Sequence, residues 1–258
     1  MKTKIPSHLL DDYINGQIAI VTGGGKGIGQ AICVTLSEKG AFVIIADKDL
    51  KAADETASMI GGKGKSCAIE LDVASEESIL KLYALVKKRF GRLDILVNNA
   101  GIFKATPILE TTAAEWDIIQ AVNLRGAFLM SREALRMMQA QRSGRVINIA
   151  SMSAKTGGIA AGAHYSASKA GLVCFTKSLA IQAAPYDICV NGITPGLIET
   201  DLTRAWGAEA NAKLTEKIPL KKFGQPQDVA ETVAFLASQR GRYITGEIID
   251  INGGIWMD

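Results

Sequence analysis

Short apolar runs rich in β-branched residues alternate with longer amphipathic segments along most of the chain. The runs IAIVT (18–22), FVIIA (42–46), CAIEL (67–71), DILVN (94–98), RVINIA (145–150), ICVNGI (188–193) and EIIDI (247–251) all have strand length. The segments between them are long enough for crossover helices. Near-continuous apolar strands joined in this way predict seven parallel strands covered by helices on both faces. The expected class is therefore α/β, a doubly wound sheet. Its ligands should bind at the carboxyl ends of the strands, where strand order switches.

At 258 residues and 48% hydrophobic composition, the chain can build one core, and no compositional break divides it. Residues 1–258 are read as a single domain in which 1–15 form an amino-terminal extension. The net charge is only +3. The basic cluster Lys87-Lys88-Arg89 falls near the end of a predicted helix, where cations suit the helix dipole, so it reads as a solvated face and not as a nucleic-acid surface. Cys33, Cys67, Cys174 and Cys189 sit in apolar runs with no paired spacing, the pattern of buried reduced thiols. His8 and His164 are too few and too far apart for a structural zinc site, and no metal is expected. The first residues lack the apolar centre of a signal peptide, and no apolar run reaches the roughly 18 residues of a membrane span. A cytoplasmic protein without membrane or nucleic-acid partners is expected.

Candidate chemistry begins directly after the first strand, at TGGGKGIG (22–29). Gly23, Gly25, Gly27 and Gly29, with Lys26 and Ile28 between them, open a helical run. Missing Cβ atoms let the backbone approach a pyrophosphate at a helix amino terminus, so this loop reads as nucleotide-binding. Asp47 ends the second strand, 18 residues beyond Gly29. A carboxylate there accepts ribose hydroxyls and repels a 2′-phosphate, favouring NAD over NADP. Lys26 argues the other way, because a cation in the glycine loop would meet that phosphate. Further on, HYSASKAG (164–171) sets Tyr165 and Lys169 four apart on one helix face, a spacing that by itself does not separate a catalytic pair from coincidence.

Together, TGGGKGIG, LDV at 71–73, NNAG at 98–101, Asn123 in VNLRGAF, Ser151 in INIAS, YSASK at 165–169 and PGLIET at 195–200 decide the matter. In these motifs and their order the chain resembles the short-chain dehydrogenase/reductase family from Gln17 to its end. The resemblance implies a Rossmann-type domain that moves hydride between a nicotinamide cofactor and a secondary alcohol or ketone. It implies that Tyr165 is the proton-transferring residue, that Lys169 lowers its pKa and bonds the cofactor ribose, that Ser151 polarises the substrate oxygen, and that Asn123 holds a relay water. Asp72 and Val73 would contact adenine, and Asn99, Ala100 and Gly101 would lie along the cofactor. Pro195, Gly196, Ile198 and Thr200 would meet its nicotinamide end. Ser151 and Tyr165 are 14 residues apart, one more than is usual in the family, which makes Ser153 a rival for the serine role. Ser151 directly follows the strand and is preferred.

The segments IPLKKFGQP, VAFLAS and YITGEIIDINGG are similar to those of bacterial 3-oxoacyl-carrier-protein reductases. Those relatives usually take NADPH and dock their carrier with two arginines. Here Asp47 opposes NADPH, and Arg142 matches one docking position while Tyr186 occupies the other. The expected activity is NAD-dependent dehydrogenation of a small polyol, sugar or hydroxy compound. A 3-oxoacyl reductase is the alternative, and a nucleotide-sensing binding protein the non-enzymatic one, disfavoured by the intact Ser151, Tyr165 and Lys169. The lid at 200–219 reads as short and polar, suited to a small hydrophilic ligand. Lys155, His164 and Trp206 are candidates to line the pocket, although surface or packing roles are favoured for each. The resemblance also implies a homotetramer paired through helices around 114–140 and 163–184, with the tail GGIWMD at a further contact.

Overall fold

The computed structural model describes residues 14–61, 65–158 and 161–257. The extension as far as Tyr13, His8 within it, and the last residue of the tail lie outside the described residues. The first half runs β1 (Ile18–Thr22), α1 (Gly27–Glu38), β2 (Phe42–Asp47), α2 (Leu50–Ile60), β3 (Ser66–Glu70), α3 (Glu76–Phe90) and β4 (Ile95–Asn98). The second half continues with α4 (Ala113–Gln120), α5 (Gly126–Gln141), β5 (Gly144–Ile149), α6 (Ser153–Thr156) and α7 (Ala163–Ala183). It ends with β6 (Ile188–Pro195), α8 (Asp201–Arg204), α9 (Ala208–Glu216), α10 (Pro226–Ala237) and β7 (Ile248–Ile251). Each strand lies within a residue or two of its apolar run.

All seven strands are parallel, in the order β3-β2-β1-β4-β5-β6-β7. The switch in strand order therefore falls between β1 and β4. Strand residues alternate between two cores, as the pleat requires. Ala19 and Val21 of β1 join Val43 and Ile45 of β2 against Ile32 and Leu36 of α1 and Val229 and Val233 of α10. Ile18 and Ile20 join Ile44 and Ala46 on the other face, against Ile79 and Val86 of α3, Met130 and Met138 of α5 and Leu179 of α7. Full burial of each Val, Leu, Ile or Met among them stabilises the fold by roughly 1.5–3 kcal/mol. Helix ends carry local signals too. The Ser75 side chain accepts from Ser78 N at the start of α3, Glu76 and Glu77 occupy its first turn, and Lys87-Lys88-Arg89 its last. Gly91, with φ at 69°, then closes it in the left-handed region.

The cysteine expectation needs correction. Cys33 and Cys189 are buried and Cys67 is half-buried, but Cys174 is exposed. The apolar run around Cys174 winds round α7, and position 174 faces away from the sheet. All four thiols are free.

A chain of side-chain amides crosses the core. Asn98 Nδ2 donates to Ser131 Oγ at 2.9 Å and to Asn148 Oδ1 at 2.8 Å, and Asn148 Nδ2 donates to Thr176 Oγ1 at 2.8 Å. The chain ties β4 and β5 to α5 and α7, and Asn148 is wholly buried at its centre. Asn148→Ala should cost about 2 kcal/mol, because it strands buried donors as well as removing a contact. A lowered urea midpoint with an unchanged slope checks this.

Candidate active site

The cofactor cleft is built from close backbone approaches at the end of β1. A Cβ on Gly29 would lie 1.9 Å from Gly23 O, so no side chain fits at position 29 without moving the loop. Gly23 has φ at +62°, and a Cβ there would come within 2.9 Å of Ala100 Cα. Thr22 Oγ1 accepts from Asn99 N and Ala100 N, both at 3.0 Å, while Asn99 Nδ2 donates to Thr22 O and Gly23 O, also at 3.0 Å. This clamp holds the glycine loop against the end of β4. Lys26 precedes α1 without capping it through its side chain, so the first-turn amides of a 12-residue helix remain available to an anion. The cradle fits the pyrophosphate of a dinucleotide.

Above it lies a cavity of about 590 Å³ bordered by Gly27, Ile28, Asp47, Asp72, Val73 and Thr200. Asp47 Oδ2 accepts from Gly25 N at 2.9 Å and Oδ1 from Asp49 N at 2.9 Å, so the carboxylate is held in place by backbone amides. Gly25 itself lies beneath the cavity and not in its wall. A Cβ on it would sit 2.7 Å from Ala52 Cβ. Lys26 reaches Asp49 Oδ2 at 3.5 Å across the surface. Lys48, which sequence reasoning passed over, lies 2.9 Å from Asp72 Oδ2, and this hydrogen bond holds the Asp72 carboxyl below its ordinary range. Both cations beside the ribose end thus already face carboxylates.

The second cavity, of about 250 Å³, gathers three of the four candidate catalytic residues. Ser151 follows β5, Tyr165 and Lys169 project from α7, and all three line this space together with Pro195, Gly196 and Ile198. Ser151 stands beside Tyr165 and draws its hydroxyl pKa down, against the larger effect of burial. Ser153 also borders the cavity, and its backbone N donates to Ser151 Oγ at 3.1 Å, while it is Ser151 that acts on the Tyr165 hydroxyl. Phe103 packs edge-on against the Tyr165 ring at 5.0 Å. Lys169 Nζ donates to Ile149 O at 2.8 Å and is deeply buried. Asn123 does not border the cavity. It stands behind Gly101, in a π-helical turn at Ala121–Arg125, where its Oδ1 accepts from Ile102 N at 2.8 Å and its Nδ2 donates to Ser168 Oγ at 3.1 Å. A Cβ on Gly101 would meet Lys169 Nζ at 3.3 Å and Asn123 Oδ1 at 3.4 Å, so these groups converge on that glycine.

One electrostatic expectation changes. The Tyr165 hydroxyl is not lowered: burial pushes it above its ordinary value, opposed by the hydrogen bond with Ser151. Lys169 lies 5.9 Å from the centre of the tyrosine ring, and its nearest acceptor is a backbone carbonyl. Burial in turn lowers the Lys169 ammonium to about 8.

The pocket wall also departs from expectation. Lys155 does not enter it and instead pairs with Asp250 at 2.7 Å. His164 is fully buried, with Nε2 3.1 Å from Glu115 Oε1, and does not line it either. Trp206 does, with Leu202 and Leu214 of the lid, Met152, Phe103 and Ile255. The lid turns Leu202, Trp206 and Leu214 towards the cavity, alongside Thr200 and Thr203. These three are large apolar residues of the 200–219 stretch, a signal in the sequence for an apolar inner face.

Comparison with known proteins agrees with this geometry. The family model described as enoyl-(acyl carrier protein) reductase matches residues 23–256. The 3-oxoacyl-[acyl-carrier-protein] reductase FabG of Aquifex aeolicus is 42% identical over 94% of this chain and 98% of its own length. That of Escherichia coli is 41% identical over 94% of this chain and 98% of its own. The chain belongs to the short-chain dehydrogenase/reductase family. A solved member from Brucella melitensis, described as a glucose/ribitol dehydrogenase, superposes with a TM-score of 0.89 at 33% identity, covering 96% of this chain and 100% of that one. Short-chain dehydrogenases/reductases are nicotinamide-dependent oxidoreductases acting on CH–OH and keto groups, and this chain is one of them. No described helix is long and apolar enough to cross a membrane.

The buried ammonium yields a stability prediction. The folded value of Lys169, about 8, lies below the 10.5 of the free side chain. Between these values the unfolded chain binds the extra proton, so the parent should gain stability as pH rises through that window. Near pH 7 the charge is present in both states and its burial is a net cost. Lys169→Met should therefore raise the melting temperature at neutral pH and lose the rise above pH 8, as thermal unfolding across pH reads directly.

Proposed function

We propose that the enzyme reduces the keto group of a neutral, apolar 3-oxoacyl compound, and oxidises the corresponding alcohol in reverse, using NAD(H). The observation that carries this reading is the pocket wall. Among the described residues that border the catalytic cavity, Lys169 is the one charged side chain, and the space beyond Ser151 and Tyr165 is closed by Phe103, Met152, Leu202, Trp206 and Ile255. Such a wall favours an acyl chain over a polyol, whose hydroxyls would exchange water for few partners beyond Asn99, Ser153, Thr200 and Thr203. The similarity to 3-oxoacyl reductases at about 40% identity supports the same class. The polyol reading retains the likeness to the Brucella melitensis protein in its favour.

In the reductive direction Tyr165 gives its proton to the substrate oxygen, and burial keeps that proton on the hydroxyl at neutral pH. Ser151 bonds the same oxygen and draws electron density from the carbonyl carbon. Bound at the cleft, a nicotinamide cofactor supplies the hydride to that carbon, or takes it in reverse. Lys169 supplies positive charge behind Tyr165 and a donor for the cofactor ribose, and Asn123 holds the wall of the relay behind Gly101. Asp47, fixed by two backbone amides, accepts ribose hydroxyls and repels a 2′-phosphate, which favours NAD.

The thioester need not be carried on a protein. Arg142 is engaged with Pro185 O at 3.1 Å beside Tyr186, so a single cation stands where two would dock an acidic carrier. A homotetramer is consistent with the exposed apolar residues Trp116 and Ile118 of α4, Phe128 of α5 and Trp256 and Met257 of the tail. Light scattering at micromolar protein tests that assembly, a monomer excluding it.

Assay of acetoacetyl thioesters, simple 3-oxoesters and a polyol panel with NADH, NADPH and their oxidised forms tests the activity. The 3-oxoacyl compounds should turn over best, with NADH ahead of NADPH. Polyol oxidation as the main activity would overturn the substrate reading. Asp47→Ser should narrow or reverse the cofactor ratio. Tyr165→Phe should lower kcat by about 10²–10⁴ while NADH still quenches protein fluorescence on binding. Reduction by the parent should weaken at alkaline pH as the proton on Tyr165 is lost.

A further inference from the structure

The ion pair that removes Lys155 from the pocket spans three elements. Lys155 lies on α6, its Nζ 2.7 Å from Asp250 Oδ2 on β7, and Asp250 Oδ1 accepts from Thr194 Oγ1 on β6. Thr194 and Asp250 are directly opposed in the register of those two strands. Both charged side chains are largely covered, with 15% and 22% exposure, and Thr194 is fully buried. The pair is therefore screened less than a surface contact, and removal of one partner leaves a poorly compensated charge in the interior.

What the pair holds is the segment bearing the catalytic serine. α6 is only four residues long, too short to persist without tertiary support. It continues from Ser151 by tight local bonds: Ser153 N to Ser151 Oγ at 3.1 Å, Ala154 N to Ser151 O at 2.9 Å and Lys155 N to Met152 O at 2.9 Å. Met152 N donates to Pro195 O, and beyond it the Lys155 ammonium ties this turn to the edge strand of the sheet through Asp250. Any tilt of α6 carries Ser153 N with it and so redirects the hydroxyl that Ser153 holds.

We propose that the Lys155–Asp250 pair, backed by Thr194, is a positioning device that fixes the Ser151 hydroxyl against Tyr165 and the substrate oxygen. The inference rests on the reading of Ser151 given above, and it assigns a task to a lysine for which the sequence favoured a surface or packing role over the pocket wall. Lys155 and Asp250 touch neither cofactor cavity nor substrate cavity, so their effect is on orientation and not on affinity.

Steady-state kinetics and amide exchange on the full chain test it. Lys155→Met and Asp250→Asn should each lower kcat by about ten- to a hundredfold, the scale of a misplacement near 1 Å, with KM for cofactor and ketone nearly unchanged. Lys155→Arg, which keeps the charge and the reach, should recover most of the loss. Amides of Lys155, Thr156 and Gly157 should exchange at least about tenfold faster in Lys155→Met, while those of β5 keep their protection. The proposal is overturned by kcat within about twofold of the parent in both variants, by equal impairment of Lys155→Arg and Lys155→Met, or by unchanged exchange in α6. A parent that turns over polyols and no 3-oxoacyl compound defeats the substrate reading alone, and the same variants are then compared on the polyol.

Discussion

The clamp between Thr22 and the start of the 99–104 loop is the contact on which the rest of the site depends. Through it the end of β1 and the end of β4, neighbours at the strand-order switch, are locked together by four hydrogen bonds near 3.0 Å. The loop then passes the constraint onward. Its Gly101 leaves room for Lys169 and Asn123, its Ile102 is bonded on both backbone groups by Asn123, and Lys104 O receives Gly162 N at the foot of α7. One short loop thus sets the distance between the phosphate cradle and the tyrosine-bearing helix. Both ends of the loop are tied down by these bonds, from Asn99 and Ala100 at one end and Lys104 at the other.

Electrostatics in the site run towards neutrality. Burial raises Tyr165 and lowers Lys169, so each is driven towards its uncharged form. That arrangement stores the proton on the tyrosine and makes the ligand-binding groups a cost to the fold. It is the usual trade of stability for activity at a preorganised site. The carboxylates bordering the cavity above the glycine loop behave in the opposite way. Asp49 and Asp72 are stabilised as anions by hydrogen bonds, first from a backbone amide and from Lys48 respectively.

The fold was legible because parallel strands buried on both faces leave long apolar runs, and because the helix α3 announces both its ends in Ser75, Glu76, Lys87 and Gly91. The motif residues stand out in the sequence because phosphate approach and proton transfer would demand such side chains, and the fold gathers Ser151, Tyr165 and Lys169 around one cavity. What escaped depended on long-range geometry. Lys155 and Asp250 are 95 positions apart, and neither carries a local sign of the other. The apolar lining of the lid was hidden by the polar residues on its outer face, since composition averages over faces that the fold separates. Cys174 misled for the reverse reason, because apolar neighbours along the chain do not imply apolar neighbours in space. The tyrosine pKa followed the desolvation of the site, and the lysine one turn away points to a carbonyl.

The π-helical turn at Ala121–Arg125 lies within one continuous helical stretch, Ala113–Gln141. A turn of this kind holds an extra residue, so the part before it is rotated by roughly 100° relative to an uninterrupted α-helix. α5 can therefore lay its apolar side on the sheet while α4 leans on α7, from the same rod. The irregularity acts as a phase shifter. A deletion of one residue here would preserve helicity and composition yet turn Trp116 and Ile118 to a different compass point, so alignments that close such a gap silently misassign every outward-facing position before it.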